Sequence, residues 1–147
     1  KQDASQEEIE AAAKQAAVHE NILDFKEGYN TMLGERGITL SGGQKQRVSI
    51  ARALIKQPKL LLLDDCLSAV DTETEEAILE ALKTHKNTTT LIVCHRVSSA
   101  KNADHILILK DGKVEQFGTH ENLINSAGYY KELYAQQRLE EEFPTIA

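Results

Sequence analysis

No apolar run in this 147-residue sequence approaches the ~20 residues that a membrane-spanning helix needs. No secretory leader pattern stands at Lys1 either. Any link to a membrane is therefore expected to come through another segment or a partner. Cys-x-x-Cys pairs and Cys/His metal spacings are missing too. The two cysteines, Cys66 and Cys94, sit inside apolar runs and read as reduced, buried small side chains of a cytosolic protein. Positive charge is scarce: 17 Lys and Arg against 23 Asp and Glu leave a formal net charge of -6. That balance argues against nucleic-acid or anionic-membrane binding by the whole surface, and leaves room for a local anion site. Internal repeats and low-complexity linkers are absent. What remains is 41% hydrophobic and 27% charged residues, an ordinary globular composition at the length of one domain at most.

Periodicity places the elements. Ser5 and Glu8 make a capping-box pair ahead of a helix whose small-residue face is Ile9, Ala12, Ala13, Ala16 and Ala17. Gly28, Gly34 and Gly37 punctuate a mixed loop from around Asn21 to Ile38. A second helix is expected to begin at Ser41 as N-cap, with Gln44 bonding back. Val48, Ala51, Leu54 and Ile55 form its apolar face and Pro58 stops it. Leu60 to Leu63 is a continuous apolar run, the pattern of a strand covered on both faces. Asp71 suits the N-cap of a third helix with Ile78, Leu79 and Leu82 inward, and Thr89 to Cys94 is the next buried strand. A short helix near Ser98 to Asn102 precedes a hairpin of strands His105 to Leu109 and Lys113 to Phe117, turned at Asp111-Gly112. A short helix capped by Thr119 and, beyond Gly128, a charged helix near Tyr130 to Glu142 follow. Strands alternating with helices predict an α/β core with parallel pairing and an appended antiparallel hairpin. Residues 1–58 read as a helical part without a good strand, and residues 59–147 as the α/β part.

Two stretches carry chemistry. Leu40-Ser41-Gly42-Gly43-Gln44 is a glycine-rich turn opening onto a helix. Consecutive glycines let backbone N–H groups converge on an anion, and the helix adds its positive N-terminal end. On Ser-Gly-Gly alone, an ordinary capped helix with a flexible lead-in is the better explanation. Downstream, Leu60-Leu61-Leu62-Leu63 leads into Asp64 and Asp65, acids at the strand end where α/β folds place ligands. Asp64 suits Mg2+, held through water because magnesium dehydrates reluctantly. Asp65 suits orienting or deprotonating an attacking water. The plainer reading is two solvated acids capping the next turn. His95 directly follows the strand Thr89 to Cys94. If that strand neighbours Leu60 to Leu63, both carboxyl ends open on one crevice and His95 lies within reach of a phosphate near Asp64. Together these elements describe half of a nucleotide-phosphate site. The other half, a G-x-x-x-x-G-K-S/T loop, is missing from all 147 residues.

In order and spacing the set resembles one family, the ABC ATPases. Leu40 to Gln44, followed by Lys45-Gln46-Arg47, resembles the LSGGQ signature motif, and Leu60 to Asp64 the Walker B strand. Ser68-Ala69-Val70-Asp71 resembles the D-loop and His95 the switch histidine. Gly34-Glu35-Arg36-Gly37 is similar to the loop by which exporters couple to their membrane domain, and Phe117-Gly118-Thr119-His120-Glu121 to an exporter ending. The resemblance runs from about Ser5 to about Tyr134. It implies the C-terminal portion of an exporter-type nucleotide-binding domain, with a P-loop NTPase (RecA-like) core portion and an α-helical subdomain. It extends to one subunit of a heterodimeric multidrug exporter.

The resemblance also implies an ATPase that works in pairs, with ATP sandwiched between the Walker motifs of one subunit and the signature of the other. Ser41 and Gly43 would then touch the γ-phosphate of ATP held by the partner, with Gly42, Gln44 and Asp71 completing the ATP-contacting set. Asp64, with Mg2+, and His95 would serve this chain's own nucleotide, and Asp71 would cross the dimer interface. Glu35 and Arg36 would pass closure of the pair to a transporter's transmembrane domain, at the cytoplasmic face of the membrane. Nucleic acid is not among the implied partners.

Two departures stand out. Most members carry Glu after the Walker B aspartate, and Asp65 is one methylene shorter. Such a change often marks the weak site of an asymmetric two-chain exporter. The family's phosphate loop, adenine-stacking aromatic and glutamine switch all belong ahead of this region. Without that loop's N–H cradle and Lys, triphosphate affinity is expected to be mostly lost and the chain alone to be inactive. The same missing part supplies central strands, so the chain is expected to expose apolar surface and an unpaired edge. Two other readings remain: a non-exporter ABC ATPase, and a truncated, non-catalytic module that supplies LSGGQ in trans. Gly34 to Gly37 and the compact ending favour the exporter.

Overall fold

The computed structural model describes residues 1, 3–34 and 38–142. The chain divides into two compact units, Lys1–Val93 and Cys94–Ala147, each with its own apolar core. Among the described residues no helix is long and apolar enough to cross a membrane.

In the first unit, α1 (Gln6–Gln15) starts at the predicted capping box, with the Ser5 Oγ accepting from the Glu8 N–H at 3.2 Å and the Glu8 carboxylate accepting from the Ser5 N–H at 2.9 Å. Ala12, Ala13 and Ala16 are buried, which lets the backbone of α1 approach its neighbours closely. The helix ends short of Ala17, whose φ of 51° turns the chain. The stretch expected as loop holds α2 (His19–Leu23) and a 3-10 turn (Gly28–Asn30), joined by a 2.7 Å hydrogen bond between His19 Nδ1 and the Tyr29 hydroxyl. Helix α3 (Gly42–Leu54) buries Ile50 and Leu54 and packs on α1.

Strand β1 (Leu60–Asp64) pairs in parallel with β2 (Thr89–Val93), Leu60 opposite Thr89 and Asp64 opposite Val93. Between them runs α4 (Thr72–Lys83), capped by the Asp71 carboxylate, which accepts from the Thr74 N–H at 2.9 Å. Helices α1, α3 and α4 all cover one side of this sheet. They meet Leu61 and Leu63 in a core that includes Ala16, Leu54 and Ile78.

The expectation of a strand covered on both faces is therefore corrected. Leu60 is 64% exposed and Leu62 59%, beside Leu91 and Val93 on the same open face. The apolar run is real, but every helix of this unit that meets the sheet lies on the other side. The burial of the cysteines is also corrected: Cys66 and Cys94 are only half-buried, because each sits just past the carboxyl end of a strand.

The second unit begins with α5 (Val97–Ala100) and a hairpin of β3 (Ile106–Lys110) and β4 (Lys113–Gly118). Asp111 (φ 50°) and Gly112 (φ 72°) supply the two left-handed residues that a tight hairpin turn requires. Helix α6 (His120–Asn125) is capped by Thr119, and α7 (Tyr129–Glu142) follows Gly128. Val97, Ile106, Leu123 and Tyr130 form the core. Burial pushes the Tyr130 phenol up to about 12, and its oxygen pairs with His120 Nδ1 at 2.8 Å.

Ile78 has no exposed surface at all and sits where α4 meets the sheet. Ile78→Ala is expected to destabilise the first unit by about 2–5 kcal/mol. Urea unfolding checks this, and a loss below about 1 kcal/mol would show that the site collapses without a cavity.

Candidate functional site

The glycine turn forms as the sequence predicts. Ser41 is extended (φ -63°, ψ 164°), its Oγ accepts from the Gln44 N–H at 3.2 Å, and the Gln44 side chain accepts from the Ser41 N–H at 2.9 Å. With Ser41 and Gln44 satisfying each other, the N–H groups of Gly42 and Gly43 remain at the open end of α3, where no intrahelical carbonyl can reach them. The positive end of the helix dipole lies behind them.

Glycine at position 43 has a packing reason. A Cβ there would lie 2.6 Å from the carbonyl oxygen of Ala69, and one at Gly42 would lie 3.5 Å from the Ala69 Cβ. The turn thus rests directly on the loop that follows β1. Gln46, one helical position beyond Lys45, ties the two together. Its Nε2 donates to the Asp65 carbonyl at 3.2 Å and to the Ser68 hydroxyl at 3.0 Å, while its Oε1 accepts from the Ala69 N–H at 2.9 Å. The Ser68 hydroxyl in turn donates to the Asp65 carbonyl at 3.1 Å.

Asp65 itself is held in the left-handed region, φ 48°. Asp tolerates that conformation better than most residues because its short polar side chain bonds locally. Its N–H donates to the Val93 carbonyl at 3.1 Å, so the parallel ladder runs one residue past β1 before the backbone swings away. Asp64 and Asp65 are both exposed at this end of the sheet. The Cys66 thiol donates to the Asp64 carbonyl at 3.2 Å.

Asp71 ends the loop. The Thr74 backbone N–H, then the Thr74 hydroxyl, hold its carboxyl below the usual range, and the Arg47 guanidinium lowers it further. Arg47 also donates to the Gly43 carbonyl at 3.3 Å and to the Ala17 carbonyl, so it pins the start of α3 to the end of α1.

The first unit therefore brings together Ser41, Gly42, Gly43, Gln44 and the loop from Asp65 to Asp71, with Asp64 at the head of that loop. His95 lies in the second unit, exposed, two residues beyond β2. Its carbonyl accepts from Gln137 Nε2 at 2.9 Å. Glu35 and Arg36, and Gly37 beside them, lie outside the described residues. Among the described residues no three His, Cys, Asp or Glu gather into a metal cluster. Gln46 and Gln137 were not singled out by sequence reasoning. A glutamine within a helix reads as a solvated side chain, and nothing local announces a partner 19 to 42 residues away.

A parallel strand ending in acids, with a capped, glycine-led helix packed on its exit loop, defines part of a P-loop NTPase fold. Comparison with known proteins supports this and narrows it. The model of the ABC transporter family matches residues 1–68. The chain is 53% identical over 92% of its length to an uncharacterized ABC transporter ATP-binding protein, YknU, of Bacillus subtilis, covering 23% of that protein. It is 51% identical over 95% of its length to a mitochondrial potassium channel ATP-binding subunit of Pongo abelii, covering 20% of it. Among solved structures, a bacterial Atm1-family ABC exporter with ATP bound matches 93% of this chain at a TM-score of 0.85 and 43% identity, over 24% of that exporter. Over more than nine tenths of its length the chain is similar to ABC transporter ATP-binding proteins, and it spans a fifth to a quarter of the length of these relatives.

The Ala69 carbonyl is backbone and cannot swing away from an added methyl. Gly43→Ala is expected to push the turn off its loop at a cost of about 1–3 kcal/mol. Thermal unfolding and the amide shifts of Gly42 and Ala69 check this, and an unshifted Ala69 amide would contradict it.

Proposed function

We propose that this chain is part of the ATP-binding and hydrolysing domain of an ABC exporter. Two such domains would close on ATP and drive transport of a substrate across a membrane. The observation that carries this reading is the joint between the glycine turn and the loop after β1. Gln46 and the absent Cβ of Gly43 make one rigid body of the group offered to a neighbour's nucleotide and the group that leaves this chain's own strand.

In this reading residues 1–58 form the helical subdomain that bears the signature, and residues 59–147 the rest of the core. Ser41 and Gly43 face the γ-phosphate of ATP held by a second nucleotide-binding domain, with Gly42 and Gln44 shaping the turn. Two N–H groups at a helix start are suited to a polyanion and need no reorganisation when it arrives. Asp71 crosses to the same partner. An exposed hard carboxylate at a strand end fits Mg2+, which takes one or two carboxylates and otherwise water and phosphate oxygens, so Asp64 would hold it. Bound there, the cation would supply charge neutralisation at the phosphates. Asp65 and His95 serve this chain's own nucleotide, Asp65 orienting the attacking water and His95 donating toward the γ-phosphate. Glu35 and Arg36 couple the pair to a transmembrane domain, on the cytoplasmic face of the membrane. A partner that differs from this chain fits best, because Asp65 is short for its task.

The open face of Leu60, Leu62, Leu91 and Val93 agrees with a further layer of the domain covering the sheet. In the full-length protein, Asp65→Glu is expected to raise ATP turnover by about tenfold or more, as a base gains reach to its water. The melting temperature reports separately on the harder task of holding Glu at a φ of 48°. Unchanged turnover in a folded variant would sink the role given to Asp65. The 147-residue chain on its own is expected to release no phosphate from ATP, since it carries no G-x-x-x-x-G-K-S/T loop to cradle the triphosphate. Measurable hydrolysis by the purified chain would refute that.

A further inference from the structure

The backbone on either side of Arg96 is bridged by one side chain that comes from α7. Gln137 on α7 donates through Nε2 to the His95 carbonyl at 2.9 Å, and its Oε1 accepts from the Val97 N–H at 2.8 Å. The two contacts flank Arg96, so one planar carboxamide closes a ring on a three-residue segment. The Val97 N–H begins α5, which has no side-chain cap of its own. Gln137 therefore satisfies a donor that the helix start would otherwise leave to water.

The other end of this strut is equally fixed. Tyr130, the second residue of α7, is 1% exposed, its N–H donates to the Gln116 side chain at 3.0 Å, and its hydroxyl meets His120 at 2.8 Å. From Tyr130 to Gln137 is about two helical turns. The helix is seated in the core at one end and grips the His95 segment at the other, with Val97 buried in the same core. The His95 side chain is exposed, so main-chain placement is what sets its direction.

We propose that Gln137 is a positioning residue for His95. It fixes residues 95–97 so that the imidazole is presented toward the γ-phosphate in one direction, and it makes α7 part of the hydrolytic apparatus. This rests on the reading of His95 given above. A reacting group displaced by about 1 Å loses up to about a hundredfold in rate, so a small shift of the His95 main chain is enough to be felt at the imidazole.

The test uses the full-length protein with its partner's site disabled, so that single-turnover hydrolysis reports on this chain's own nucleotide. Gln137→Met keeps length and volume but cannot bridge both groups. The single-turnover rate constant is expected to fall about tenfold, while half-saturating ATP stays within about twofold, because triphosphate binding does not run through this side chain. Amide exchange at Val97 should accelerate in the same variant. Gln137→Glu, which keeps an acceptor for the Val97 N–H and loses the donor to His95, should lose rate with Val97 still protected. Gln136→Met, whose native side chain bonds only Glu140 in the same helix, is the unaffected control. In a His95→Ala background, Gln137→Met should add no further loss. A wild-type rate constant in both folded Gln137 variants overturns the proposal and leaves the ATPase reading standing. So does a full tenfold loss added on top of His95→Ala, which would show Gln137 acting elsewhere. A His95→Ala protein at the wild-type rate, or a wild-type protein without turnover, overturns both.

Discussion

The carboxamide of Gln46 is the contact on which the geometry of the first unit depends. The loop from Asp65 to Asp71 has no regular structure, and ordering such a segment costs about 1–2 kcal/mol per residue. Helix α3 lends it order. One side chain spends both donor and acceptor on the Asp65 carbonyl, the Ser68 hydroxyl and the Ala69 N–H. Through the Asp65 carbonyl it also stabilises a left-handed residue that the strand would not tolerate. Because α3 starts at Ser41, the same helix that steadies this loop also aims the two glycine N–H groups. Neither can shift without the other.

Gln137 repeats the device in the second unit, on a different loop and from a different helix. Amides suit the task for an electrostatic reason. Each offers a donor and an acceptor in one plane with no net charge. A Lys or Glu in either place would add a unit charge close to groups assigned to a triphosphate and a divalent cation, and would shift the local field as well as the backbone. A neutral clamp separates the placing of the loop from the charge of the site.

Much of this was legible in the sequence because it is local. Ser41 with Gln44, Asp71 with Thr74 and Thr119 with Asn122 are caps whose partners lie three residues away, and all three form. The parallel pairing of Leu60 to Asp64 with Thr89 to Val93 followed from strands separated by a helix. What was not legible depends on distant neighbours. Hydrophobicity marks Leu60 and Leu62 as apolar but says nothing of which layer covers them, so one-sided burial was missed. Cys66 and Cys94 were read as buried in apolar runs, whereas both stand just beyond a strand end and are half-buried. The short helix His19–Leu23 hides among glycines and polar residues, and its hold on Tyr29 comes from a long-range ring contact. Ile50, the best-buried residue of α3, was overlooked because Val48, Ala51, Leu54 and Ile55 made a complete stripe without it.

The uncovered face of β1 and β2 has a consequence for anyone handling the isolated chain. Four large aliphatic side chains form a row on a sheet that has two strands among the described residues, with outer backbone edges that no described strand pairs. Two copies meeting face to face would bury both rows at once, and edge pairing would then extend the stack. Such encounters grow with the square of concentration, whereas folding of each unit does not depend on concentration at all. Dilution therefore slows the association of the chain with itself and leaves the folding of each unit untouched, and a charge set into the row at Leu62 would act in the same sense at any concentration.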